Sequence, residues 1–328
     1  VTDLVHPEVA YQVALAARVV GLEIAGVDLV AQDIGKPLES QNAAIVEVNA
    51  GPGLLMHLKP ASGKPQPVGE EIANHLFPPG YDFRIPIVGI SGNSGRTIVA
   101  EMVAHFIRLT NAHVGLSTSN GLYFGSRTIK QTSSSHWDNA RRTLQNRAIE
   151  VAVIENDNAS LLLEGLAYDQ CQVGIVLNID PLKLFPEHNI SEEDQLFNVV
   201  RTQVDVVLPT GTSVLNADDA MIVKMAELSK GEVMYFSQDP SSPVVIAHQD
   251  KGGRSIIVGA SVVTLKQGKL DALLIPIPPA VQDSSLDWAP SLSLAAAIGA
   301  AWALDIPFNV IEAGVETFIS NSNIAAGT

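Results

Sequence analysis

Apolar residues recur at helical spacing from Val9 to Val20, and Pro7 suits a first turn, so an amphipathic helix is predicted there with Gly21 as its stop. Two short β-rich runs follow at hairpin-like separation, residues 24–30 and 44–49, each carrying acidic side chains among apolar ones. Residues 60–67 and 78–80 are rich in proline and glycine, and after them Ile85-Pro86-Ile87-Val88-Gly89-Ile90 opens a different pattern of β-run, glycine loop and helix. A boundary near residue 80 is therefore expected, with domains at 1–80 and 81–328. Beyond it, β-runs at 150–154, 173–177 and 205–208 alternate with helical stretches. That alternation predicts an α/β fold with a mostly parallel sheet covered by helices. Gln249-Asp250-Lys251-Gly252-Gly253-Arg254 predicts a hairpin turn in a more β-rich insertion. The longest apolar stretch, 292–304, is Ala-rich and stops at Asp305. It falls short of the roughly 20 residues that cross a bilayer and predicts a buried helix.

Composition narrows the picture further. With 46% hydrophobic and 17% charged residues in 328, the chain lies far from disorder and is long enough for two domains. Lys+Arg 20 against Asp+Glu 35 gives a net charge of -15, which repels polyanions, so neither nucleic acid nor an anionic membrane is an expected partner. The single cysteine, Cys171, excludes an intrachain disulfide and a cysteine-based zinc cluster, and fits a cytoplasmic chain; it reads as a small packed hydrophobe. Val1-Thr2-Asp3 lacks an initiator Met and the regions of a signal peptide, so a fragment of a longer protein is expected.

Two constellations carry chemistry. Glu47 and Asn49 lie two apart and share a strand face, and Asp28 sits in the preceding apolar run, so three oxygen donors of the kind magnesium prefers are candidates to converge. Asn49-Ala50-Gly51-Pro52-Gly53 predicts a tight glycine turn whose N–H groups face an anion. In the second half, Gly92-Asn93-Ser94-Gly95-Arg96-Thr97 lies between a β-run and a helix, where a phosphate cradle uses glycine backbone and a helix N-terminus. Such a loop wants lysine at position 96, and arginine's planar fork is no conservative exchange for it. A serine-hydrolase elbow is nearly spelled at Gly89-Ile90-Ser91-Gly92-Asn93, but its last glycine is missing. The eight histidines show no zinc-like spacing, and Trp137, Arg141 and Arg142 read as a solvated helix face.

Glu-Val-Asn-x-x-Pro-Gly after a Val-Asp strand resembles the end of an ATP-grasp ligase, and the string from Ile45 to Leu58 (IVEVNAGPGLLMHL) is similar to the cyanophycin synthetase family. The resemblance implies the C-terminal part of an ATP-grasp domain, with Asp28, Glu47 and Asn49 holding magnesium on ATP and Gly51 and Gly53 beside an acyl phosphate; His57, just after the turn, is read either as a contact to the polymer or as helix-face packing. The second half resembles the muramyl-ligase-like P-loop domain of the same family through Arg84–Val88, the loop at 92–97 and Val214-Leu215-Asn216-Ala217-Asp218-Asp219. It departs from the family at Arg96, at Asn156–Ser160 after the retained Glu155, and at Asn178–Lys183, where the family carries an Asp-His pair. These departures imply a degenerate nucleotide site at 92–97, Glu155 and Lys183, and the chain stops before a third lobe. The pattern is most similar to the family's second type, which joins β-aspartyl-arginine dipeptides using ATP and magnesium. The expected partners are then the dipeptide, the cyanophycin polymer and a second copy of the chain, with the isolated fragment inactive. The alternatives are the ordinary two-site synthetase using free aspartate and arginine, and a non-catalytic scaffold.

Overall fold

The computed structural model describes residues 2–80, 83–131, 136–279 and 290–325. The chain divides into two compact units, Val1–Arg84 and Ile85–Thr328.

In the first unit, helix α1 (Pro7–Val20) forms where the apolar spacing places it. His6 caps its start by accepting from the Glu8 N–H at 3.2 Å, and Gly21, at φ 81°, closes its end. Only glycine enters that left-handed region at no steric cost, so the stop is a backbone effect. Strands β1 (Gly26–Val30) and β2 (Ala44–Asn49) pair antiparallel, with an irregularity between Asp28 and Leu29. Two short helices follow, α2 (Leu55–Leu58) and α3 (Val68–Leu76). Val9 and Leu38 are the buried apolar side chains among the described residues of this unit, so its own core is small.

Among the described residues, the second unit is built on an eleven-stranded sheet. Its strands are β3 (Ile87–Ser91), β4 (Val114–Thr118), β5 (Gly121–Phe124), β6 (Arg127–Lys130), β7 (Val151–Glu155), β8 (Cys171–Val176), β9 (Val207–Asn216), β10 (Glu232–Ser237), β11 (Arg254–Val258), β12 (Val262–Gln267) and β13 (Leu270–Pro276). They lie in the order β13-β12-β11-β10-β9-β8-β3-β7-β4-β5-β6. Every pairing from β4 to β11 is parallel, and antiparallel hairpins close both edges. The mostly parallel sheet predicted from the alternating runs is thus present.

Period-two alternation splits the strand side chains between two cores. Val173 and Ile175 of β8 join Val88 and Ile90 of β3 against helix α4 (Arg96–Leu109) and the helices Pro290–Ala303 and Phe308–Ala325. Val176, Leu215 and Tyr235 face the other way, against Leu196, Val200, Ile222 and Val245. The Ala-rich run is a buried helix, as predicted, with its residues from Leu292 to Ala301 shielded from solvent.

Two local expectations are corrected. Residues 249–254 form no hairpin: the helix Pro243–Asp250 ends there, Gly252 at φ 83° turns the chain, and β11 begins at Arg254. The hairpin lies further on, between β12 and β13, where Gly268 takes φ 58°. Both glycines adopt left-handed backbone, so the sequence signal for a turn was correct in kind and misassigned in context. The run at 205–208 also splits, because Asp205 closes the short helix Thr202–Asp205 and β9 starts only at Val207.

Candidate functional site

The first candidate site lies wholly within the first unit. Antiparallel register sets Asp28 directly opposite Glu47, and Gly26 opposite Asn49. Directly opposed residues share a sheet face, and Asn49 lies two along from Glu47, so the three oxygen-bearing side chains are on one face. Asp28 and Glu47 are exposed and Asn49 is half-buried. Like charges directly opposite each other destabilise a strand pair, and a divalent cation reverses the sign of that interaction. Two carboxylates and an amide oxygen form a hard donor set that fits magnesium, which keeps several of its positions for water or phosphate oxygens. Among the described residues no cluster of three or more His, Cys, Asp or Glu side chains is arranged for a metal, so the amide of Asn49 is needed to complete this set.

The segment after β2 is a bend without left-handed residues: neither Gly51 nor Gly53 has positive φ. A Cβ on Gly51 would meet nothing within 4 Å, and one on Gly53 only the Met56 methyl at 3.6 Å. The tight glycine turn expected here is therefore not formed. The close approach in this region involves Gly26 instead, where a Cβ would lie 3.0 Å from that of Pro52. His57 is exposed on α2 and lines a cavity of about 510 Å³ together with Val27, Pro52, Leu54, Ile72 and His75.

The second candidate site lies at the carboxyl end of β3, between β7 and β8, the place where open α/β sheets present ligands. Gly92 takes φ 139° and Gly95 φ 82°, and Gly95 is the N-cap of α4. A Cβ on Gly92 would press on the Asn178 backbone at 3.1 Å, so glycine is required there by both space and φ. The loop has the shape of a phosphate cradle, but the N–H groups of its first half are engaged by the chain itself. The N–H groups of Asn93 and Ser94 both donate to Asn178 Oδ1 at 2.9 Å, and Asn178 Nδ2 donates back to the Ser94 carbonyl at 2.9 Å. Asn93 Oδ1 accepts from the Asp180 N–H at 2.9 Å, and Lys183 Nζ donates to Ser94 Oγ at 3.1 Å.

Arg96 is held just as closely. Its Nε donates to Glu155 Oε1 at 3.3 Å, and its guanidinium also donates to the Gly92 carbonyl. Glu155 is 1% exposed and accepts in addition from Thr97 Oγ1 at 2.9 Å, the Ser119 N–H at 2.9 Å and Ser119 Oγ at 2.7 Å. The buried carboxylate is paired and hydrogen-bonded, as a buried charge must be. The hydroxyl and carboxylate that would take a cation in a working loop are thereby committed to protein partners. Asp157 caps the short helix Asn158–Leu163 and pairs with His136 at 3.1 Å. Burial alone would raise its pKa, but the Ser160 hydrogen bonds and the charges of His136 and Arg96 outweigh it and hold the carboxyl below its ordinary value.

The structure brings together loop residues 92–97, Glu155 and Lys183, all named from sequence. It adds Asn178, Ser119 and Asp180, which sequence reasoning did not assign to the loop. Asn178 was legible only as a departure from the family pattern. The Asn216–Asp219 motif also gains a role: Asn216 Nδ2 donates to the Leu177 carbonyl at 2.9 Å, and Asp219 Oδ2 accepts from the Ile179 N–H at 2.9 Å. Both fix the segment that carries Asn178.

No family model matches the chain. It is 35% identical over 333 aligned residues, 99% of its length, to the cyanophycin synthetase of Synechocystis sp.. The same identity and coverage are found with the cyanophycin synthetase of Crocosphaera subtropica. The chain spans 37% of the length of each of these relatives. A solved UDP-N-acetylmuramoyl-L-alanyl-D-glutamate–2,6-diaminopimelate ligase superposes on 75% of this chain and 48% of its own, with TM-score 0.53 and 13% identity. That likeness concerns the fold alone. The chain is thus similar, along nearly its whole length, to a segment of cyanophycin synthetases, and it carries a muramyl-ligase-like α/β fold with a large, mostly parallel sheet.

Proposed function

We propose that this chain is part of an ATP-dependent amide ligase that joins β-aspartyl-arginine dipeptides into cyanophycin, with one working ATP site and a second unit that serves as scaffold. Residues 1–80 are read as the C-terminal part of an ATP-grasp domain and 81–328 as the muramyl-ligase-like domain. In the proposed reaction the polymer's terminal carboxylate takes the γ-phosphoryl group of ATP, releasing ADP. The dipeptide amine then attacks the acyl phosphate, and phosphate leaves as the amide forms. Asp28, Glu47 and Asn49 are the residues assigned to magnesium, which neutralises charge on the phosphoryl group when bound.

The observation that carries the one-site reading is the double donation from Asn93 and Ser94 to Asn178 Oδ1. The two N–H groups at the mouth of the loop already serve an internal amide and are not available to a phosphate oxygen. The Arg96–Glu155 pair supports the same reading, since a buried acid neutralised by an arginine fork no longer attracts a metal ion. Adding a ready-made dipeptide forms one amide bond and so needs one acyl-phosphate activation per unit, which a single ATP site can supply. A second copy of the chain is the proposed partner of the scaffold unit. The test is polymer formation by the parent protein supplied with ATP, magnesium and either the dipeptide or free aspartate with arginine.

A further inference from the structure

A cavity of about 410 Å³ lies under the β5–β6 hairpin, beside the start of β4. Strands β3, β7 and β4 run parallel, so this is the amino end of the sheet, opposite the end that carries the closed loop. Strand register builds one wall of the cavity. Arg127 pairs directly with Phe124 across the Gly125–Ser126 turn, and Ile129 lies two along from Arg127, so the three side chains share a hairpin face. That face lines the cavity together with His113 and Asn146.

The polar groups around this space decide what it can hold. Three acceptors beside it are already used: the Gly125 carbonyl accepts from Arg108 Nε at 3.0 Å, Asn146 Oδ1 from the Ala148 N–H at 3.1 Å, and the His113 carbonyl from the Glu150 N–H at 2.9 Å. Its donors are not used. The Arg127 guanidinium, Asn146 Nδ2 and the Ser126 hydroxyl have no hydrogen-bond or ion-pair partner among the described residues. No aspartate or glutamate lines the cavity; Glu150, whose Oε2 accepts from the His113 N–H at 2.7 Å, stands outside the lining. In a chain of net charge -15 this is a local electropositive spot. Open donors beside spent acceptors suit a ligand group that only accepts, and an arginine fork matches the two oxygens of a carboxylate. With no carboxylate in the lining to take an ammonium, a zwitterion fits less well than a simple acid. Phe124, half-buried, and Ile129, 42% exposed, add an apolar wall that a bare inorganic anion would leave wet. The volume falls in the range of roughly 300–1,000 Å³ found for small-molecule pockets.

We infer that this cavity binds a small organic carboxylate with an apolar body, the carboxylate on Arg127, Asn146 and Ser126 and the body against Phe124 and Ile129. The site shares no residue with the closed loop or with the strand pair of the first unit, so it stands or falls separately from the ligase reading.

Calorimetric titration of the 328-residue chain with benzoate and with 4-methylpentanoate tests it, alongside acetate and inorganic phosphate, which lack the apolar body, and benzamide, which lacks the charge. At least one of the two larger carboxylates is expected to bind, and acetate, phosphate and benzamide to bind at least roughly tenfold more weakly. Arg127 is exposed on an edge strand, so Arg127→Gln should keep the parent melting temperature while weakening binding at least about tenfold. Ile129→Ser should weaken it severalfold. No binding of either larger carboxylate at about 10 mM, equal binding of acetate, phosphate or benzamide, or unchanged affinity in Arg127→Gln overturns the proposal.

Discussion

Asn178 and Ser94 exchange a reciprocal pair of hydrogen bonds, N–H to Oδ1 in one direction and Nδ2 to carbonyl in the other, both at 2.9 Å. The carboxamide thereby plays toward the loop the role that a phosphate oxygen plays toward a working cradle. Truncating it leaves the Ser94 N–H and carbonyl to find new partners, while the Asn93 N–H keeps its 3.2 Å bond to the Asn178 backbone carbonyl. Asn178→Ala is expected to cost about 1–3 kcal/mol of stability. A urea midpoint unchanged from the parent would show that these bonds carry no weight.

Restoring the loop lysine should not by itself restore the loop. In Arg96→Lys the two N–H groups remain committed to Asn178, so photo-crosslinking with azido-ATP is expected to leave residues 92–97 unlabelled. Labelling of that peptide in the single variant would mean that residue 96 alone controls the cradle.

The opposed carboxylates of Asp28 and Glu47 make a separate prediction. Without a divalent ion they repel across the strand pair, so Asp28→Asn should stabilise the chain in EDTA by about 0.2–1 kcal/mol. Magnesium should raise the melting temperature of the parent and leave that of Asp28→Asn unmoved. Equal magnesium response in both proteins removes Asp28 from the metal set.

His248 and His105 give the pH dependence its sign. Burial lowers the pKa of both below the ordinary 6.5; for His248 the Arg254 carbonyl and Glu232 pull only partly the other way. The unfolded chain then binds more protons than the folded one between the lowered values and about 6.5, so stability rises with pH through that window and is complete above it. His248→Gln should flatten the rise, as read from denaturation midpoints between about pH 5 and 7.

Cys171 is 1% exposed, and burial pushes its thiol up to about 12. Only the thiolate reacts, so the native chain should not titrate with a disulfide reagent at neutral pH and should release one equivalent in urea. Fast reaction of the folded protein contradicts the packing described.

What could be read from the sequence was what is written locally. Gly21 ended α1 because a left-handed stop needs only one residue, and Val173 with Ile175 marked a buried parallel strand by composition alone. Arg96 could be named as a departure because the loop pattern has a fixed spacing. Asn178 could not be assigned to the cradle, because it lies 84 residues from Ser94 and meets it only through the parallel pairing of β3 with β8. Gly89 is a similar case. A Cβ there would lie 2.1 Å from the Tyr168 hydroxyl and 2.5 Å from the Gln203 amide, a buried polar group assembled from distant segments. The misread turn at 249–254 shows the converse, since Lys-Gly-Gly serves a helix end as well as a hairpin and only the preceding Pro243–Asp250 helix decides between them.

The single working ATP site is tested most directly by amide-polymer formation and phosphate release by the parent protein with ATP and magnesium. Polymer from β-aspartyl-arginine, with none from free aspartate plus arginine, is the predicted result. Polymer from the free amino acids would mean that the loop closed by Asn178 and Arg96 still turns over nucleotide, and would contradict the account.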